Sequence, residues 1–223
     1  MAGKMNAKSQ RDAFLNGEGD QSFLRNKTQD NIDKGSESYF DPLIPYLLDL
    51  PLKDGPDVNV LEIGCGQALR LKKLSLTKGW TVHGVDPSLK AVEYSKFEGI
   101  NSKVSTADNL PYEDNKFDLL IYGFCLYVCD RDDLFKIASE ANRVLKDESW
   151  LAIFDFWMPY PEERNYHHLK GIKSYKMDLP NMFNWHPAYV MINHTLRHHK
   201  TSKFTDDKNE WVASTLLRKK MIK

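Results

Sequence analysis

The sequence predicts a doubly wound α/β fold, and three observations carry the prediction. Between Val58 and Phe156, short apolar runs alternate five times with helical stretches. Those runs are continuously apolar, as expected of parallel strands buried on both faces. After Phe156 the rhythm breaks, and two late β-like runs joined by a polar, turn-like segment predict an antiparallel hairpin at the C-terminus. A charged helical arm precedes the sheet.

Residues 1–11 are polar, and the sequence predicts a frayed end there. From Asp12 to Asp33 the chain is charged, with Phe14, Leu15, Phe23 and Leu24 as apolar anchors and breaks at Gly17 and Gly19. Residues 1–38 are therefore assigned to an arm or lid, and residues 39–223 to the main domain. Tyr39–Leu52 carries apolar residues at helical spacing and predicts a helix packed on that domain.

Val58–Ile63 predicts the first strand and Leu69–Leu76 the first helix of the alternating part. Trp80–Val85 is the second strand, followed by a helix over Pro87–Glu98 with Pro87 in its first turn. Ser102–Thr106 and Phe117–Tyr122 are the third and fourth strands. Arg131–Lys146 is an amphipathic helix with Ile137, Ala141 and Val144 on one face, and Trp150–Phe156 is the fifth strand. Residues 157–187 are rich in aromatics, Pro and His, and form an insertion expected on the ligand edge. Tyr189–Arg197 and Glu210–Leu217 supply the hairpin.

Composition bounds the function. The chain has 223 residues, with 31 basic and 31 acidic side chains. The zero formal net charge argues against nucleic acid as a partner. Cys65, Cys125 and Cys129 form no CxxC pair, and Cys125 and Cys129 read as small buried hydrophobes. No apolar run is long enough for a membrane span, and the N-terminus lacks the apolar core of a signal peptide. A cytoplasmic protein, monomeric or homodimeric, is expected.

The chemistry is concentrated in LEIGCGQA, at the end of the first strand. Gly64 and Gly66 let backbone approach a ligand closely. Asp86 follows about 20 residues later, at the end of strand two, where a carboxylate can accept both hydroxyls of a ribose. The spacing is GxGxA, not the GxGxxG of dinucleotide binders. Glu62 would repel a pyrophosphate and suits a cationic ligand bearing an amino group.

VLEIGCGQALRL, VHGVDPS, TADNLPYEDNKFDLLIYGFCLYV and RVLKDESWLAIFDF together resemble, in order, the motifs of class I S-adenosylmethionine-dependent methyltransferases of the methyltransferase-11 type. The resemblance covers roughly residues 40–156. It implies a Rossmann-like, seven-stranded, mostly parallel sheet whose last strand is antiparallel. It also implies S-adenosyl-L-methionine as cofactor and S-adenosyl-L-homocysteine as product. Glu62, Gly64, Cys65 and Gly66 would shape the methionine side, and Asp86 would hold the ribose. Ala107 and Asp108 would face the adenine, with Leu110 nearby. Tyr122 and Phe124 would line the methyl donor and the acceptor mouth. The chain departs from the family at Ala68, where a third glycine is usual, and at Thr106, where an acidic residue is usual.

FLNGEGDQSFLRN and GIKSYKMDLPNMFNWHPAY resemble segments of methyltransferases of bacterial surface-polysaccharide and nucleotide-sugar pathways. That implies a small polar acceptor, such as a sugar or a sugar-linked metabolite, methylated on oxygen or nitrogen. A general base would help such an acceptor. The candidates are His167, His168 and Asp178 in the insertion, beside Tyr175 and His186, with Tyr39 closing over the methyl group. Arg25 and Asn26 of the arm are candidates for the cofactor's carboxylate. A His-His pair without a third ligand at a recognisable spacing predicts no metal site. Two other readings stay open: an NAD(P)-dependent oxidoreductase, and a non-catalytic module that binds the cofactor.

Overall fold

The computed structural model describes residues 9–33 and 41–220. The arm contains α1 (Gln10–Ala13) and α2 (Gly19–Asp33), joined through a turn at Phe14–Glu18. Ser9 caps α1 through its hydroxyl, which accepts from the Asp12 amide at 3.0 Å. The break falls at Gly17, with φ +136°. Gly19 plays a different part. It is helical, and a Cβ there would lie 2.8 Å from the Phe14 carbonyl oxygen and 3.2 Å from the Ser88 amide nitrogen. Its missing side chain lets the arm lie directly on the loop that follows the second strand.

The main sheet is built from β1 (Asn59–Ile63), β2 (Thr81–Asp86), β3 (Asn101–Val104), β4 (Phe117–Gly123) and β5 (Leu145–Phe156), completed by β8 (Tyr189–His198) and β9 (Trp211–Lys219). Its order is β3-β2-β1-β4-β5-β9-β8. β1 to β5 pair in parallel, while β9 runs antiparallel to both β5 and β8. This is the Rossmann-like, seven-stranded sheet with a C-terminal hairpin that the sequence predicts.

Alternate residues feed two cores, one on each face. Leu61, Ile63, Leu120, Tyr122, Leu151 and Ile153 pack on one side against Ile137, Ala141 and Val144 of α6 (Leu134–Val144). Val60, Leu119, Ile121, Ala152 and Phe154 pack on the other side with Leu43, with Leu47 of α3 (Ile44–Leu48), and with Leu71 and Leu74 of α4 (Leu69–Lys78). Burial on both faces is why the strands read as unbroken apolar runs.

Several boundaries differ from the sequence reading. The helix after β2 is α5 (Leu89–Phe97), because the Ser88 hydroxyl accepts from the Ala91 amide at 3.0 Å and caps it, leaving Pro87 outside. β5 begins at Leu145, five residues early, because Leu145 pairs with Phe117 at the base of β4. The helix expected over Tyr39–Leu52 is described only as α3. Residues 157–187, read from sequence only as an insertion, hold the β6 (Glu162–Asn165) and β7 (Lys173–Lys176) hairpin and the short α7 (Asn181–Asn184). Tyr166 and Ile172 of this insertion pack against Ala13 and Phe14 of the arm. Gln10 and Arg11, expected in a frayed end, are pinned by hydrogen bonds described below. Among the described residues no helix is long and apolar enough to cross a membrane.

Candidate active site

The chain turns outward in opposite directions after β1 and β4, which are neighbours in the sheet. In an open α/β sheet such a switch point leaves a crevice at the carboxyl ends of the strands. A cavity of about 570 Å³ lies there. Its floor comes from Gly64, Gly66, Asp86 and Gly123, and the arm closes over it through Arg11, Phe14, Ser22 and Asn26.

The glycine turn is set by backbone bonds. The amides of Gly64 and Cys65 both donate to the Val85 carbonyl, at 2.8 and 3.1 Å. Both glycines have positive φ, but they answer different needs. A Cβ on Gly64 would lie 2.7 Å from the Cys125 Cβ, so Gly64 makes room for protein. A Cβ on Gly66 meets nothing within 4 Å among the described residues, so Gly66 faces open space. Ala68, with φ +56°, occupies the left-handed position at the start of α4 that a glycine would adopt more easily.

Asp86 is buried at the end of β2. Its Oδ2 accepts from the Gly66 amide and its Oδ1 from the Ser88 amide, each at 2.9 Å. Burial pushes its carboxyl up to about 6, and the two amide bonds oppose that rise. Asp86 lines the cavity and each of its oxygens keeps a second lone pair, a capacity that fits the pair of hydroxyls on a ribose.

Glu62 sits beneath the turn, buried, with Oε1 bound by Arg70 Nη1. Arg70 Nε also donates to Asp41 Oδ2 at 2.6 Å. Gly123 permits this arrangement, since a Cβ there would collide with Arg70. Burial lifts the Glu62 carboxyl to about 7, against the pull of Arg70. Its Oε2 is buried and has no hydrogen-bond partner among the described residues. Glu62 lines a smaller cavity of about 140 Å³ that shares Phe23, Asn26 and Gly66 with the main one. Arg70, shared with Asp41, thus meets the negative charge there only in part, and the orphaned oxygen is what a ligand ammonium could use.

At the end of β3, Ala107 lines the cavity and Asp108 is buried beside it. Asp108 Oδ2 accepts from Arg11 Nη1 at 2.6 Å and from Lys136 Nζ at 3.1 Å. Burial pushes the Asp108 carboxyl up, but hydrogen bonds from Thr106, Lys136 and Arg11 outweigh it and hold the group below its ordinary value. Thr106 therefore supports Asp108.

The arm docks at a second carboxylate. Asp130 Oδ1 accepts from the Gln10 amide at 3.1 Å, and Oδ2 accepts from the Arg11 amide at 3.0 Å. Gln10 Nε2 donates to the Val128 carbonyl at 2.6 Å, and Gln10 Oε1 accepts from the Lys173 amide at 2.8 Å. Asp20 Oδ1 accepts from the Ser88 hydroxyl at 2.6 Å, fixing the start of α2 to the loop after β2.

Other expected site residues stand elsewhere. Arg25 is bound to Glu18 and to the Tyr166 hydroxyl, and Asn26 lines the cavity instead. Tyr122 is fully buried in the core, its ring 6.2 Å from that of Phe183, because its position on β4 points it toward α6. Its neighbour Phe124, with φ +52°, does line the cavity. Leu110 is core, its amide donating to Glu140 Oε2 at 2.8 Å. The Cys65 side chain turns under the sheet edge toward Gly84 and Ser102, reaching only the smaller cavity. His167 and His168 are exposed in the turn between β6 and β7 and are not part of the cavity wall. Asp178 precedes α7 and lies outside the wall as well. Tyr39 lies outside the described residues.

The cavity also holds residues the sequence reading missed: Arg11, Asp130, Tyr127 and Phe156. No local pattern marks them, since each acquires its place through a partner far along the chain. Among the described residues, donor atoms of His198, His199 and Glu210 lie within 4.8 Å of one another, as metal ligands can. However, His198 Nδ1 accepts from the Lys200 amide at 3.1 Å, which places the proton of the neutral ring on Nε2, the nitrogen facing Glu210. That tautomer cannot ligate a metal through Nε2.

Comparisons with known proteins agree with this geometry. Residues 61–153 match the Methyltransf_11 family, described as a methyltransferase domain. The 2-phytyl-1,4-naphtoquinone methyltransferase of Nostoc punctiforme is 30% identical over 150 residues, covering 62% of this chain and 64% of that protein. The chain spans less than two thirds of the length of the curated relatives it matches, 64% and 54%. Among solved structures, a Haloferax volcanii methyltransferase in complex with the Trm112 methyltransferase activator superposes with a TM-score of 0.67 at 18% identity, covering 96% of this chain and 99% of that one. The geranyl diphosphate C-methyltransferase of Streptomyces coelicolor, solved with Mg2+, geranyl diphosphate and S-adenosyl-L-homocysteine, gives 0.61 at 13% identity, covering 80% and 79%. At these identities the structural likenesses establish the fold.

Proposed function

We propose that the chain is a class I S-adenosylmethionine-dependent methyltransferase that moves a methyl group from that cofactor to an oxygen or nitrogen of a small acceptor held under the N-terminal arm. One observation carries the reading: the switch-point cavity has the lone pairs of Asp86, the open face of Gly66 and the loop of Ala107 and Asp108 around a single space. When bound, the cofactor supplies an electrophilic methyl group on a sulfonium. In this reading Asp86 holds the ribose, Ala107 and Asp108 bound the adenine, and Glu62 Oε2 receives the ammonium. The arm excludes water and positions the acceptor. A volume of about 570 Å³ lies within the range for one small-molecule site, so a cofactor and a small acceptor must share it.

Calorimetric titration with S-adenosyl-L-homocysteine, beside an Asp86→Ala variant, tests the reading. Saturable binding to the wild type, lost or much weakened in the variant, is expected. A well-folded wild type that does not bind removes its basis, and NAD(H) is then the ligand to try.

A further inference from the structure

The half of the cavity beyond the cofactor residues has a chemistry of its own. Asp86, Ala107 and Asp108 stand over β2 and β3, and the glycine turn over β1. What remains lies over β4 and β5 and is walled by Phe124, Tyr127, Val128 and Phe156, with Phe14 of the arm above. From these observations we propose that the acceptor is a planar aromatic hydroxy compound that ionises by its own acidity, for which the protein supplies an aromatic slot and no base. This rests on the methyltransferase reading and names its substrate class.

The aromatic wall is fixed in place. The Phe156 ring packs edge-on against Phe124 and Tyr127, with centroids 5.2 Å apart in both pairs, and Phe124 meets Phe154 at 4.6 Å. Phe14 is held 6.0 Å from Tyr166. Such faces stack on a flat ring. They offer a sugar's hydroxyls few partners, and each hydroxyl buried without one is costly. On the arm side the polar side chains are Ser22, Asn26 and Arg11, and the Arg11 guanidinium is already paired with Asp108 and Asp133.

The titratable groups around the slot are consistent with an acceptor that needs no base. Among the described residues, no histidine or lysine lines the cavity. His199 is not part of the wall: its ring centroid lies 5.9 Å from that of Phe156 and its Nδ1 is 2.5 Å from Glu210 Oε2. Lys176 is outside the wall too, with Nζ 4.5 Å from the Phe156 ring centroid. Burial pushes the thiols of Cys125 and Cys129 up, along with the Tyr127 hydroxyl. Asp130 is engaged by arm amides, Asp108 by two cations, and Asp133 by Arg11 Nη1 at 3.5 Å. Asp155, just below Phe156, accepts from the amides of Leu126, Tyr127 and Phe156. The acceptor must therefore lose its proton to water before it is enclosed. Its oxygen then forms the new bond to the methyl carbon while the methyl–sulfur bond breaks, and that electron pair stays on sulfur as a neutral thioether.

The test uses the full chain loaded with S-adenosyl-L-homocysteine. It is titrated with 4-nitrophenol, 4-methylphenol and a nucleotide sugar. Turnover of the two phenols with S-adenosyl-L-methionine is then followed against pH. The phenols are expected to bind and the nucleotide sugar not to. The inflection of kcat/KM should move with the acidity of each phenol. Phe156→Ala should weaken phenol binding about tenfold while product binding persists; Phe156→Leu, which keeps the volume, guards against a folding artefact. Binding and turnover of the sugar nucleotide overturn the proposal, as does one common inflection for both phenols. Product binding without phenol binding overturns it too. Loss of product binding itself would instead refute the methyltransferase reading, so the two failures are distinct.

Discussion

Replacing Asp130 by Ala should open the arm without unfolding the domain. Asp130 is the acceptor for the first two amides of α1, at 3.1 and 3.0 Å. Helix-start amides left without an acceptor cost about 0.5–2 kcal/mol, and a carboxylate at that end adds about 0.3–1 kcal/mol through the helix dipole. The arm keeps other ties in the variant. These are the Gln10 bonds to Val128 and Lys173, the Arg11–Asp108 pair and the Asp20–Ser88 bond. Closure should therefore weaken by about 1–2 kcal/mol, raising the open population about 5- to 30-fold. Hydrogen exchange reads this directly. Amides of residues 10–20 should exchange faster by that factor, while those of β1, β4 and β5 keep their rates. Asp130→Asn, which keeps an acceptor, should fall between the two. Unchanged arm exchange would show that Asp130 does not hold the arm, and a uniform rise across the sheet would show that the arm is not a separate unit.

Four further outcomes are expected. Gly64→Ala should destabilise the protein by about 2–4 kcal/mol, because its Cβ collides with Cys125 at a left-handed φ. Gly66→Ala should cost only about 1 kcal/mol yet impair S-adenosyl-L-homocysteine binding, since its Cβ enters the open cavity; thermal melts and calorimetry separate the two. Asp155 is raised by burial from 3.8 to about 7, so the folded state retains its proton where the unfolded state has lost it. Stability should then fall as pH rises through that window, by up to ~3 kcal/mol relative to Asp155→Asn, and denaturant melts from pH 4 to 8 showing parallel curves would refute this. Deleting residues 1–38 should leave a cooperative melt but reduce cofactor affinity or turnover, because the arm roofs the cavity; unchanged kinetics would rule out the lid.

The outline of the site was legible in the sequence where chemistry is local. Gly64, Gly66 and Asp86 lie on one turn and one neighbouring strand end, so spacing alone places them together. Glu62 was legible as a carboxylate suited to a cationic ligand, but its burial and its pairing with Arg70 were not, because that pair depends on α4 folding back over β1. Tyr122 and Phe124 looked equivalent at the end of β4. The period of the strand points Tyr122 into the core, and the positive φ of Phe124 turns its ring into the cavity. The histidines drew attention by residue type, and the turn between β6 and β7 carries them outward.

The sequence by itself determined the alternation of strands and helices, the parallel sheet with its terminal hairpin, and the position of the carboxylate at the end of β2. Each rests on a period or a turn that a few successive residues specify. Tertiary structure alone decided what roofs the cavity and what lines its acceptor half. The Arg11 amide meets Asp130 across 119 residues of chain, and Phe14 and Phe156 face one space only because the arm folds over the cavity. Such contacts have no local signature. Each side chain's environment is supplied by a partner whose distance along the chain says nothing about its distance in space.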